Sequence, residues 1–220
     1  MFIPSTDEDW RRVLAECGVA ANIAAERAPH FAQRLREGAF SAGLERELPD
    51  FLTTILHESG FLRKLRESGN YSARRIRELA SAAGPGTRWR SLLPRAEELG
   101  YDTGGSEHAF FEALYGGRYG NGPEGSGDGA RYPGRAYIGL TFRDNYAWVG
   151  DAVGQDLVVV PELAEQPIFA LDFTLAWWEG KVPDHVLGDE RKVRKVVNGG
   201  YIGIKEVERL TKLVRGVLQC

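Results

Sequence analysis

The chain of 220 residues has only two cysteines, Cys17 and Cys220, so no disulfide framework organises it and folding in a reducing compartment is expected. It has no run approaching eighteen apolar residues, which excludes a membrane-spanning helix and predicts no stable membrane insertion. Residues 1–9 are acidic and lack the basic start and long apolar core of a signal peptide. With a net charge of −3, the surface has no general attraction for nucleic acid or anionic lipid. The glycine-rich stretch 116–129 is not followed by Gly-Lys-Ser/Thr, which excludes a phosphate-binding P-loop. No internal repeat, low-complexity tract or linker divides the chain. A single module spanning 1–220, with two lobes sharing a cleft and no separate binding domain, is the expectation.

What is present is ordinary globular material, 43% hydrophobic and 27% charged, arranged mostly with helical periodicity. Thr6 and Asp9 start a helix whose apolar positions Trp10, Val13, Leu14 and Cys17 run to Gly18. Residues 20–44 read as helical with a break near Pro29, and Pro49 suits the first turn of a helix ending at Glu58. Ser72 caps a basic helix through Ala83, and further helices are expected at 92–99, 107–115, from Asn145 with Asp144 as cap, 161–180, 189–197 and beyond Ile204. Trp177 and Trp178 fall on an apolar helix and read as packing. The six basic residues between Arg63 and Arg77 suit either an anionic polymer or a solvated helix face.

The most informative feature is the pair Glu58 and Glu67. Two carboxyls in unlike surroundings can divide acid and base duties. Glu58 closes the apolar segment 51–56, whereas Glu67 follows Arg63, Lys64 and Arg66, whose charge predicts an ionised Glu67. On one unbroken helix, nine residues at about 100° each would set the second carboxylate opposite the first and about 13 Å along the axis. Ser59-Gly60 predicts a helix end, followed by an extended or hairpin segment that returns Glu67 across a cleft. An inverting glycosidase needs roughly 6.5–9.5 Å between such carboxyls. The competing zinc-protease reading of His57-Glu58 fails, because Phe61 occupies the position of the second histidine.

Five blocks in order, HESGF, Glu67 with residues 70–73, YGGRYGN with SGDGARYPGRAYIGLT, Asp144-Asn145-Tyr146 and VNGGYIG, resemble glycoside hydrolase family 19, in particular its phage endolysin branch. The resemblance covers about residues 45–205. It implies a mainly α, lysozyme-like, two-lobed fold with a cleft and a small hairpin or extended segment. It also implies Glu58 as general acid, Glu67 as general base, and inversion at the anomeric carbon. By the same resemblance Thr141 helps hold the attacking water, Asn145 and Asn198 bind acetamido groups, Arg135 lies on the cleft floor, and Tyr71 belongs to a matching block that contributes to substrate binding. Thr141 could equally be a strand residue, and Asn198 a helix cap. The chain departs from the family at Gly139, where glutamine is usual, and at Phe61-Leu62, where Gly-Phe is usual.

The implied substrate is the glycan strand of peptidoglycan, cleaved between N-acetylmuramic acid and N-acetylglucosamine without cofactor or metal. A chitinase is the alternative, and an inactive glycan-binding protein is the alternative of another class. The endolysin reading predicts a monomer made in a host cytoplasm and released, with holin assistance, to a wall in the periplasm.

Overall fold

The computed structural model describes residues 1–36 and 38–219; Cys220, one of the two thiols, lies outside them. The helices are α1 (Asp7–Glu16), α2 (Ala21–Arg34), α3 (Leu44–Glu58), α4 (Ala73–Ala82), the single turns α5 (Arg88–Ser91) and α6 (Ala96–Leu99), α7 (Glu107–Tyr115), the turn α8 (Asp128–Arg131), α9 (Arg143–Val153), α10 (Pro167–Lys181), α11 (Glu190–Asn198) and α12 (Ile204–Leu218). Among the described residues no β-strand forms. The extended segments meet only as isolated antiparallel bridges, Arg66 with Arg135 and Arg135 with Leu140. The mainly α fold with one small extended region matches the sequence expectation.

Local chemistry sets several of these elements. Thr6 and Asp9 exchange hydrogen bonds in a capping box, with Asp9 N donating to Thr6 Oγ1 at 3.1 Å and Thr6 N to Asp9 Oδ2 at 3.2 Å. Its apolar stripe then buries Trp10, Val13 and Leu14. Ser72 caps α4 by accepting from Arg75 N at 3.1 Å.

Two apolar clusters define two lobes. The larger gathers Trp10, Phe31, Phe51, Leu52, Tyr137, Tyr146 and Trp178 from both ends of the chain. The smaller joins Ile76, Leu92, Leu99, Phe110, Phe111 and Leu114 from the middle. Helix α3 runs through the larger core, with Leu48, Phe51, Leu52, Ile55 and Leu56 fully buried. Its buried Glu47 accepts from Trp178 Nε1 at 2.7 Å, so Trp178 is a packing residue with a satisfied polar tip.

Four boundaries or breaks differ from the sequence reading. Pro29 lies inside α2 and Pro49 inside α3, where burial of both helices against the core outweighs the missing amide of each proline. Helix α9 begins at Arg143 after Phe142, a residue with φ of 75°, and Asp144 sits in its first turn without capping it. The apolar stretch 161–180 is split into a 3-10 turn, Pro161–Glu165, and α10.

Candidate active site

Glu58 is the last residue of α3, and the chain reverses immediately beyond it. Ser59 is buried; its hydroxyl donates to Ile55 O at 2.5 Å and accepts from Leu62 N at 2.8 Å. Gly60, Phe61 and Leu62 all take positive φ, at 59°, 63° and 62°. The left-handed conformation costs roughly 1–2 kcal/mol at each of the two non-glycine positions. Complete burial of Leu62 offsets this by about 1.5–3 kcal/mol. The reversal expected at Ser59-Gly60 is therefore present, and it extends two residues further than glycine chemistry alone requires.

The returning segment is extended at Glu67, whose N–H donates to Gly134 O at 2.9 Å. Gly134 N–H in turn donates to Glu67 Oε1, and the Tyr115 hydroxyl donates to Oε2 at 3.0 Å. Glu58 and Glu67 consequently line one cleft of about 610 Å³, together with Lys64, Arg66, Ser68, Asn70, Tyr71, Gly134, Ala136 and Gly139. Burial pushes the Glu67 carboxyl above its ordinary value of 4.5, against the lowering effects of Gly134 N–H, Tyr115 O–H and Arg66.

The surroundings of the two carboxylates are thus the reverse of those read from neighbouring residues. Glu58, expected in an apolar setting, pairs with the buried guanidinium of Arg194. Arg63 and Lys64 are exposed. Arg66 engages Glu107 at 2.7 Å and approaches Glu165 at 3.7 Å, so desolvation prevails at Glu67. Sequence adjacency misled because adjacent side chains in an extended segment point to opposite sides.

The other expected site residues fall at graded distances from this pair. Tyr71 lines the cleft, with its ring against Phe110 at 5.0 Å and Trp89 at 5.7 Å. Thr141 stands beside Glu67: a Cβ built on Gly134 would lie 3.0 Å from Glu67 Oε1 and 3.4 Å from Thr141 Oγ1. The Thr141 hydroxyl donates to Gly139 O at 2.7 Å. Asn145 Nδ2 donates to Thr141 O at 2.8 Å, bracing that residue from the first turn of α9. Asn198 is exposed at the end of α11, and the left-handed cap is Gly199, with φ of 72°. Arg135 is buried, and the carboxylate it holds is Glu165, at 2.7 Å; it also donates to Arg131 O at 2.8 Å and Tyr146 Oη at 3.0 Å. Gly139 lines the cleft at φ 71° with open space around its Cα, a conformation that favours glycine over the glutamine usual in the family.

Two side chains on these carboxylates escaped the sequence reading. Arg194 looked like one of several cations on a basic helix; its one detectable signal was its position four residues before Asn198, on the same helix face. Besides Glu58, it reaches Ile202 O through Nε at 2.8 Å, tying the NGGYIG loop to the end of α3. Tyr115 was read only as the last residue of a helix before a glycine-rich loop, and nothing local pointed it at Glu67.

The sequence matches no family model. It is 31% identical over 156 residues to a glycosyl hydrolase family 19 domain-containing protein of Haemophilus influenzae, covering 71% of this chain and 72% of that protein. The chain belongs to glycoside hydrolase family 19. Chitinase C of Streptomyces griseus superposes with a TM-score of 0.54 at 15% identity, over 98% of this chain and 92% of that one. A class IV chitinase of Zea mays gives a TM-score of 0.54 at 13% identity, over 97% and 92%. At such identities the likeness is one of fold. Family 19 membership makes this protein a chitinase-like glycoside hydrolase, and the mainly helical, lysozyme-like architecture agrees.

Proposed function

We propose that this family 19 hydrolase cleaves the β-1,4 bond between N-acetylmuramic acid and N-acetylglucosamine in peptidoglycan, by inversion, and that its site of action is the wall outside the cytoplasmic membrane. The observation that carries the reading is that Glu58 and Glu67 line one cleft. In the reactive complex Glu58 is protonated and released from its ion pair with Arg194, and it gives that proton to the glycosidic oxygen as the C–O bond breaks. A water attacks the anomeric carbon from the opposite face and yields its proton to Glu67. A base with a raised pKa is the stronger proton acceptor once ionised, which suits Glu67. Thr141, next to Glu67, holds the attacking water. Tyr71, Asn145 and Asn198 bind the sugars, and Arg135 supports the floor through Glu165. The single chain 1–220 acts as one catalytic domain, as a monomer, without metal or cofactor.

Peptidoglycan is favoured over chitin by charge. Lys64 is exposed, lines the cleft and pairs with no acidic side chain among the described residues. Stem peptides on muramic acid carry carboxylates that would answer this charge, whereas chitin is neutral. Chitin is the second reading, favoured by the chitinases that share the fold.

Mass spectrometry of digests of purified peptidoglycan and of chitin oligomers separates the two. New reducing ends at N-acetylmuramic acid are expected. Cleavage of chitin oligomers alone, or of neither polymer, would overturn the proposal. Lys64→Glu should raise KM for peptide-bearing strands and leave KM for peptide-free strands unchanged.

A further inference from the structure

We infer that Tyr115 is a positioning residue for the reaction: its hydroxyl clamps Oε2 of Glu67 while the Gly134 N–H clamps Oε1, so the carboxylate meets the attacking water in one orientation. This rests on the reading of Glu67 as the base.

The geometry has three parts. First, the Tyr115 oxygen lies 3.0 Å from Glu67 Oε2, within the outer limit of an O–H···O hydrogen bond. Second, the ring cannot swing away. It stacks on Phe111 at 5.7 Å with 13° between the planes, and Phe142 meets it edge-on at 5.2 Å. Phe142 directly follows Thr141, so one phenol touches both the base and the segment carrying the residue assigned to the water. Third, Tyr115 belongs to α7 of the smaller lobe, and α7 is held to the loop that follows it by Glu112, whose carboxylate accepts from the N–H groups of Gly125, Gly127 and Ala130.

The direction of proton sharing follows from burial. Desolvation, then the charge of Glu67, pushes the Tyr115 phenol far above its ordinary range, so at any working pH it can only donate to the carboxylate. A donated hydrogen bond favours the ionised form of Glu67 and partly counters the burial that raises its pKa. The other titratable groups acting on Glu67 are Arg66 and Glu107, which are paired with each other, with Tyr71 and Tyr146 also within its field. All remain in place when only the Tyr115 hydroxyl is removed.

The test is the pH profile of Tyr115→Phe, which keeps the stacked ring and deletes one oxygen. We expect kcat to fall about tenfold, KM to stay within about twofold, and the acid limb of kcat/KM to move to higher pH, in keeping with loss of one charge-assisted hydrogen bond. A merely structural role would lower the melting temperature and leave the limb where it was; an unmoved limb overturns the inference. Should Tyr115→Phe fail to fold, 3-fluorotyrosine at position 115 keeps the hydroxyl and makes it a stronger donor, so the limb should move to lower pH. No movement again counts against it. Glu67→Gln separates the two readings. If it retains full activity, the base assignment itself fails; if it is inactive while Tyr115→Phe retains the parent profile, only the positioning role fails.

Discussion

Arg194 pairs with Glu58 across 136 residues of sequence and joins it to the Ile202 carbonyl. The guanidinium is 6% exposed and the Glu58 side chain 21%. Removing the cation therefore leaves a largely desolvated carboxylate alone and frees the loop that follows Asn198. Arg194→Ala should cost about 3 kcal/mol in denaturant unfolding, the lower end for a broken buried pair because Glu58 keeps some solvent. Arg194→Lys, which preserves charge but supplies no rigid fork, should keep more of the stability and still lose activity. Parental stability in Arg194→Ala would mean that the pair is not maintained in solution.

The raised pKa of Glu67 has a definite sign for both activity and stability. As a base, Glu67 must be ionised, so turnover should decline with falling pH from a point above its ordinary 4.5. For folding, a carboxyl with a higher pKa in the native state binds protons more tightly there, so its burial costs stability at neutral pH and ceases to do so as pH falls through the raised value. Glu67→Gln should thus lose at least ~100-fold in turnover and gain about 2–4 °C in melting temperature at pH 7. That gain should shrink near pH 4, as followed by calorimetry across pH.

Gly134 is where activity and packing are most tightly joined. A methyl group there would sit 3.0 Å from Glu67 Oε1 and 3.2 Å from its Cδ, and Tyr115 blocks retreat of the carboxylate from the other side. Gly134→Ala should depress kcat by about tenfold or more through misplacement of the base, with little change in melting temperature. Wild-type kcat in a folded Gly134→Ala protein would show that the carboxylate has room to shift.

Glu112 is 4% exposed and accepts from three backbone N–H groups, at 2.7, 3.2 and 2.8 Å, in and after the glycine-rich loop. Glu112→Ala leaves those donors without their partner and should cost about 3 kcal/mol. The measurable signs are a lower denaturation midpoint and new protease cleavage within residues 116–129. Resistance to cleavage equal to the parent's would mean that Asp128, which accepts from Gly122 N at 2.8 Å, and the other loop contacts suffice.

Much of this organisation was legible along the chain because it depends on neighbours within one helical turn. The Thr6–Asp9 capping box, the Ser72 cap and the stripe of α1 are local, and each was readable as such. So was the end of α3 at Ser59-Gly60, and with it the need for Glu67 to come back across a cleft. The ordered blocks around these residues were sufficient for the family.

Electrostatics and second contacts were not legible, since they join residues far apart in sequence. From sequence Glu58 was apolar and Glu67 cationic in setting; folding set Arg194 against the first and buried the second beneath Tyr115 and Gly134. Arg135 was expected on the cleft floor, and only the fold shows that the carboxylate it meets is Glu165. Periodicity and capping are properties of a few consecutive residues, so spacing sufficed for most of the helices, and the ordered blocks sufficed for the family. The environment of each carboxylate is a sum over desolvation and charges brought together by packing, and only the tertiary structure specifies that sum.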